Sequence, residues 1–346
     1  MTRTVKSAPL RQTWTRWPKT RLLNTRICDL GLTLEKSMVA KSIRQLYREL
    51  QKKGLDFTPH FWLSDEWYCP DDIPGISVPF FLGHPKLAEI ERDFMLEVEG
   101  EKEHDRMKLL RHETGHALAN AFQLHERRDW KRLFGRPSTP YPDVYLPRPY
   151  SKRFVVHLPN WYAQSHPHED WAETFAVWLT PNFDWRHRYR NWPALKKLEY
   201  VDTLIAELSN KRPRRRNKRT VLPVEKMRMT IAQYYEEKIA RYKEDRPDFF
   251  DRDLKKIFSC EKEFKNNEKA SHYIRRCKPE LIEVVERWTS EYRYRINEVL
   301  KEMKKRCDEL DLRVTRGDDE MKADMVACLT MLVMNKLHSD GFHMSL

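Results

Sequence analysis

The chain has 346 residues, 40% hydrophobic and 34% charged, which is enough for one large domain or two ordinary ones with a sizeable core. No run of 18 apolar residues occurs, which excludes a membrane-spanning helix. The basic, acid-free start Met1–Arg26 has no apolar stretch of the secretory kind, leaving a cleaved organelle presequence as its only targeting alternative.

The net charge of +13 is concentrated in two places. Residues 1–26 hold seven basic residues, and the run KRPRRRNKR at 211–219 holds seven more. These two segments account for the whole excess, so the remainder is close to neutral. They read first as a solvated tail and a solvated linker, and second as a weak, salt-sensitive grip on nucleic acid or another polyanion. Six cysteines at 28, 69, 260, 277, 307 and 328 form no CxxC pair. That scatter argues against a zinc ribbon or a disulfide-stapled secreted fold, and for reduced thiols in a cytoplasm.

In chain order, Leu34, Met38, Val39, Ile43, Leu46, Tyr47 and Leu50 predict a helix over 33–53, closed by Gly54. Two extended segments follow, at 57–63 and 76–82, rich in aromatic and β-branched residues. Pro79 marks the second as an edge strand, a place where an extended peptide could add. Helices are predicted over 85–99 and 103–125. The proline-rich stretch 126–166 is irregular apart from a short strand at 154–158. Helices resume over 167–179 and 193–208. Beyond the basic run, long polar helical patterns dominate. The expected organisation is a basic tail (1–26), an α+β domain with a small mixed sheet and several helices (27–210), a basic linker (211–222) and a helical C-terminal extension (223–346).

The chemistry is concentrated in Arg111-His112-Glu113-Thr114-Gly115-His116. Histidines four apart on a helix project from one face, close enough for two imidazoles to bind one tetrahedral zinc. Glu113, beside the first ligand, can reach a water without taking a coordination position. Gly115 costs about 1 kcal/mol of helix stability against alanine, and its use is close approach by a neighbouring element.

The positions that would carry a third histidine downstream hold Ala119 and Phe122. The third ligand therefore comes from elsewhere, and Ser165-His166-Pro167-His168-Glu169-Asp170-Trp171-Ala172-Glu173 is the best source. Pro167 suits the first turn of a helix. Glu169 and Glu173 then share a face, Glu169 as ligand and Glu173 as acceptor for the N–H of a ligand histidine. His166 and His168 remain alternative ligands. His166 could instead contact substrate or cap the helix.

The two segments resemble those of zincins whose third zinc ligand is a glutamate, such as anthrax lethal factor. The closer likeness is to a bacterial family of zinc-binding metallopeptidases. It is carried by LRHETGHAL at 110–118 and HLPNWYAQSHPHEDWAETFAVWL at 157–179, with weaker similarity at 63–68 and 78–85. The resemblance spans roughly 30–210 and omits the basic start and the helical end. It implies a zincin-like fold, Zn²⁺ held by His112, His116 and Glu169, Glu113 as general base, and a peptide or protein substrate. By analogy with lethal factor, Tyr162, seven residues before Glu169, assists catalysis at the oxyanion, with His166 the competing donor. The alternative function is a catalytically retired zincin fold that binds polyanions or serves as a scaffold through 1–26 and 211–219.

Overall fold

The computed structural model describes residues 13–142, 148, 151–209, 211–240 and 251–340. It is mostly helical, at 62%. Contacts divide the chain into two units, one holding 13–92 and 98–235, the other 93–97 and 236–340 among the described residues.

The first unit opens with helix α1 (Lys19–Leu23), preceded by a single 3₁₀ turn. Residues 13–26 are no loose tail. Trp14 is wholly buried and its Nε1 donates to the Leu30 carbonyl at 2.8 Å, while Lys86 Nζ donates to the carbonyls of Thr15 and Trp17. Residues 1–12 of the expected basic tail lie outside the described residues. The predicted first helix is shorter than its hydrophobic pattern, forming as α2 (Ala40–Lys52) after a 3₁₀ turn at Leu34–Lys36.

Among the described residues, the expected mixed sheet is one parallel pair, β1 (His60–Ser64) with β2 (Gly75–Pro79). Proline cannot donate to a ladder, and after Pro79 the chain turns into a 3₁₀ helix, Phe80–Gly83, instead of extending the strand. All five residues of β2 are buried, and the Ser77 N–H donates to the Tyr68 carbonyl at 2.8 Å.

Helices α3 (Pro85–Met95), α4 (Glu103–Phe122) and α5 (Arg128–Phe134) follow, then α6 (Pro167–Leu179), α7 (Trp185–Arg188) and α8 (Leu195–Leu208). The strand expected at 154–158 does not form. Its backbone donors serve side chains instead: Val156 N–H bonds the Tyr189 hydroxyl at 3.1 Å and Leu158 N–H bonds Glu173 at 2.9 Å.

α4 and α6 are buried on nearly every side, which fits their lack of a one-sided apolar stripe. They cross at Gly115. A Cβ there would lie 2.8 Å from Ala172 Cα, and Trp171 Nε1 donates to the Gly115 carbonyl at 2.8 Å. The glycine thus sets how closely the two helices approach.

The expected linker is part of the first unit, which extends to Tyr235. Side chains of β1 hold it by its carbonyls: His60 Nε2 donates to Arg219, Trp62 Nε1 to Val221 and Ser64 Oγ to Leu222, at 2.7–2.9 Å. Tyr234 Oη donates to the Asp65 carbonyl at 3.1 Å.

The second unit contains α10 (Asp251–Ile257), α11 (Ala270–Thr289), α12 (Arg293–Glu309) and α13 (Asp318–Asp340), with α9 (Ile231–Ala240) running across the division. Leu281, Val285, Ile296, Leu300, Met325 and Leu329 lie in its apolar core. Cys277, Cys307 and Cys328 are buried there as free thiols, acting as small hydrophobes.

Candidate metal centre

His112 and His116 occupy successive turns of α4, and Glu169 faces them from the first turn of α6. Their atoms form a small triangle. His112 Nε2 lies 3.1 Å from His116 Nε2, Glu169 Oε2 lies 3.0 Å from His112 Nε2, and Glu169 Oε2 lies 3.2 Å from His116 Nε2. Bond lengths of about 2.0–2.1 Å place the ligand atoms of a tetrahedral zinc about 3.3 Å apart. Two imidazole nitrogens and one carboxylate oxygen at 3.0–3.2 Å therefore fit zinc in chemistry and spacing.

Glu173, wholly buried, uses both its oxygens. His112 Nδ1 donates to Oε1 at 2.9 Å and Leu158 N–H to Oε2 at 2.9 Å. With a metal bound, this contact would favour the His112 tautomer whose Nε2 carries a lone pair. Burial disfavours a charge on His112, but the hydrogen bonds and charges of Glu169 and Glu173 outweigh it and hold its pKa well above the usual value. For Glu169, burial is likewise outweighed by His116 and His112, which hold its carboxyl well below the usual range. Burial raises the Glu113 carboxyl, opposed by the two histidines. A raised carboxyl pKa suits a group that must take up and release a proton.

Of the alternative third ligands, His166 is held by backbone. His166 caps α6, its Nδ1 accepting from His168 N–H at 3.2 Å and its Nε2 donating to the Thr139 carbonyl at 2.7 Å. With both nitrogens engaged by backbone, His166 caps α6 and anchors the Thr139 turn. The His168 ring packs beside His125 and Trp130, with centroids 5.6 Å away in each case. Asp170 accepts from Lys197 Nζ at 2.5 Å. The Tyr162 ring lies 5.6 Å from that of His112, tilted by 50°.

Tyr141 escaped the sequence reading. Its hydroxyl donates to Glu169 Oε1 at 2.8 Å, and its ring stacks on His166 at 3.7 Å. Burial and the Glu169 charge raise its pKa, keeping it a donor. The only sequence signal was an aromatic residue between Pro140 and Pro142 in an otherwise irregular stretch.

Two buried ion pairs brace these helices. Arg111 makes a two-pronged contact with Glu49 of α2, Nε to Oε2 at 2.8 Å and Nη2 to Oε1 at 2.9 Å. The Asp170–Lys197 pair ties α6 to α8.

A family model described as "Putative zinc-binding metallo-peptidase" matches residues 94–183, the stretch that contains α4, α6 and Tyr141. Comparison with curated proteins and with solved structures gives no match.

Proposed function

We propose that the chain is a zinc-dependent hydrolase of the zincin type that cleaves peptide bonds. The observation that carries this reading is the His112–His116–Glu169 triangle with Glu113 on the same helix. The family match over 94–183 supports it.

His112, His116 and Glu169 would hold the metal, and Glu173 would orient His112. Zinc, when bound, would polarise the scissile carbonyl and acidify a water. Glu113 takes the proton of the attacking water and carries it to the leaving amine. Tyr162 donates to the developing oxyanion, and the backbone contacts of both His166 nitrogens support Tyr162 over His166 for this task.

The test is hydrolysis of a protein substrate by the purified chain, with zinc supplied and then chelated. Glu113→Gln should retain zinc and lose turnover by about 10²–10⁴-fold, because the amide cannot accept the proton. Unchanged hydrolysis by that variant would remove Glu113 as base.

The second reading, polyanion binding by a retired site, is favoured by the setting of 211–219. Arg215 N–H bonds the Ala121 carbonyl at 3.0 Å and Asn217 Nδ2 bonds the Asp72 carbonyl at 3.1 Å. Lys211, Arg212, Arg216, Lys218 and Arg219 stay exposed on this tethered backbone. Binding of this kind would weaken steeply with salt.

A further inference from the structure

The loop leading to the metal centre is fastened to the start of α6 at three successive points. Gly135, at φ 114°, lets the chain leave α5 against Pro167, where an added Cβ would meet Pro167 Cγ at 3.3 Å. A turn follows, with Thr139 N–H and Oγ1 both donating to the Arg136 carbonyl at 3.1 and 2.8 Å. The Thr139 carbonyl accepts from His166 Nε2 at 2.7 Å. Tyr141 then lies on the His166 ring, with centroids 3.7 Å apart and planes 16° from parallel. His166 is fixed in turn by capping α6.

This scaffold delivers one hydroxyl to one atom. Glu169 Oε2 faces the two histidines at 3.0 and 3.2 Å, while Oε1 accepts from Tyr141 Oη at 2.8 Å. The two carboxylate oxygens therefore have different partners. A carboxylate with one oxygen tied can turn neither freely nor both oxygens toward a metal. The hydrogen bond also satisfies a buried acceptor that would otherwise be costly to leave unpaired.

We propose that Tyr141 is a positioning residue for Glu169: its hydroxyl presents Oε2 alone to the histidine pair and thereby sets the affinity and geometry of metal binding. This inference rests on the zinc reading above. It assigns Tyr141 to the metal ligand, and Tyr162 to the substrate side. Partners behind metal ligands typically change metal affinity by 10–100-fold when removed.

The experiment uses the full chain and competes it for zinc against a chromophoric chelator. Tyr141→Phe keeps the ring that stacks on His166 and removes only the hydroxyl. It should bind zinc about 10–100-fold more weakly. The Co²⁺-substituted variant should show an altered visible absorption spectrum, and the metal-free protein should keep its fold and helical content, losing only the small stability of one unpaired acceptor. Tyr162→Phe should leave zinc affinity as it is. Equal zinc affinity and an unaltered cobalt spectrum in Tyr141→Phe would overturn the assignment. So would a loss of metal-free Tm that accounts for the weaker binding, since the hydroxyl would then serve packing. Failure of the unmutated chain to bind zinc would overturn the metal reading and this inference together. Normal binding in the unmutated chain with no effect of Tyr141→Phe would overturn this inference alone.

Discussion

The two units bury charge very differently. In the first, the helices that carry the candidate metal ligands also carry buried ionisable groups in matched pairs: Arg111 with Glu49, Lys197 with Asp170, and His112 with Glu173. In the second, the core around α11, α12 and α13 is apolar, and its main arginine pairs are exposed, as in Arg276–Asp318, or half-buried, as in Arg306–Asp251. Among the described residues its buried charged exceptions are Lys238 and Glu291, the latter reached by Arg295 at 3.6 Å. Apolar burial stabilises a helix packing without fixing it closely, whereas a buried charge holds only where its partner's geometry is met. The polar network of the first unit thus falls where side chains must point in fixed directions.

The contrast predicts opposite responses to simplification. Arg111→Met alone should destabilise the first unit by about 3–5 kcal/mol, because Glu49 is left buried and unpaired. Pairing it with Glu49→Leu should recover much of that loss. Chemical denaturation of both variants measures this, and equal destabilisation would show that the ion pair does not drive it. In the second unit, Leu281→Ala should cost about 2–5 kcal/mol by cavity formation while leaving zinc affinity unchanged. A parallel loss of zinc affinity would break the division between the two regions. A smaller effect is expected at the α4–α6 crossing. Gly115→Ala should cost about 1–3 kcal/mol by overpacking, since the new Cβ meets the backbone of Ala172. An unaltered Tm would mean that the two helices separate easily.

The most local features were the most legible. α6 begins at Pro167 and ends at Leu179 as the residues suggest, because a proline in the first turn and an apolar run state both ends. The histidine pair and Gly115 follow from helical spacing alone. The approach of Glu169 to that pair was inferred by default, since Ala119 and Phe122 occupy the usual downstream positions. Tyr141 was not legible: it sits in a turn without periodicity, and its partner Glu169 is 28 residues away. The attachment of 211–222 was hidden for a related reason. A basic, proline-containing run looks like a linker, and the bonds that fix it are made to its carbonyls by His60, Trp62 and Ser64, about 160 residues earlier. The strand expected at 154–158 had suitable residues and, among the described residues, no partner strand. Its position is set by donors to Tyr189 and Glu173, which no local pattern encodes.

The account depends most directly on Glu169 completing the ligand set from a second helix. Metal analysis of the purified chain and of Glu169→Ala tests this. The unmutated protein should carry about one zinc, because three protein ligands hold a catalytic zinc and leave the fourth position open. Glu169→Ala should lose most of it while keeping its helical content. Full zinc occupancy in Glu169→Ala would contradict the account and move the third ligand elsewhere.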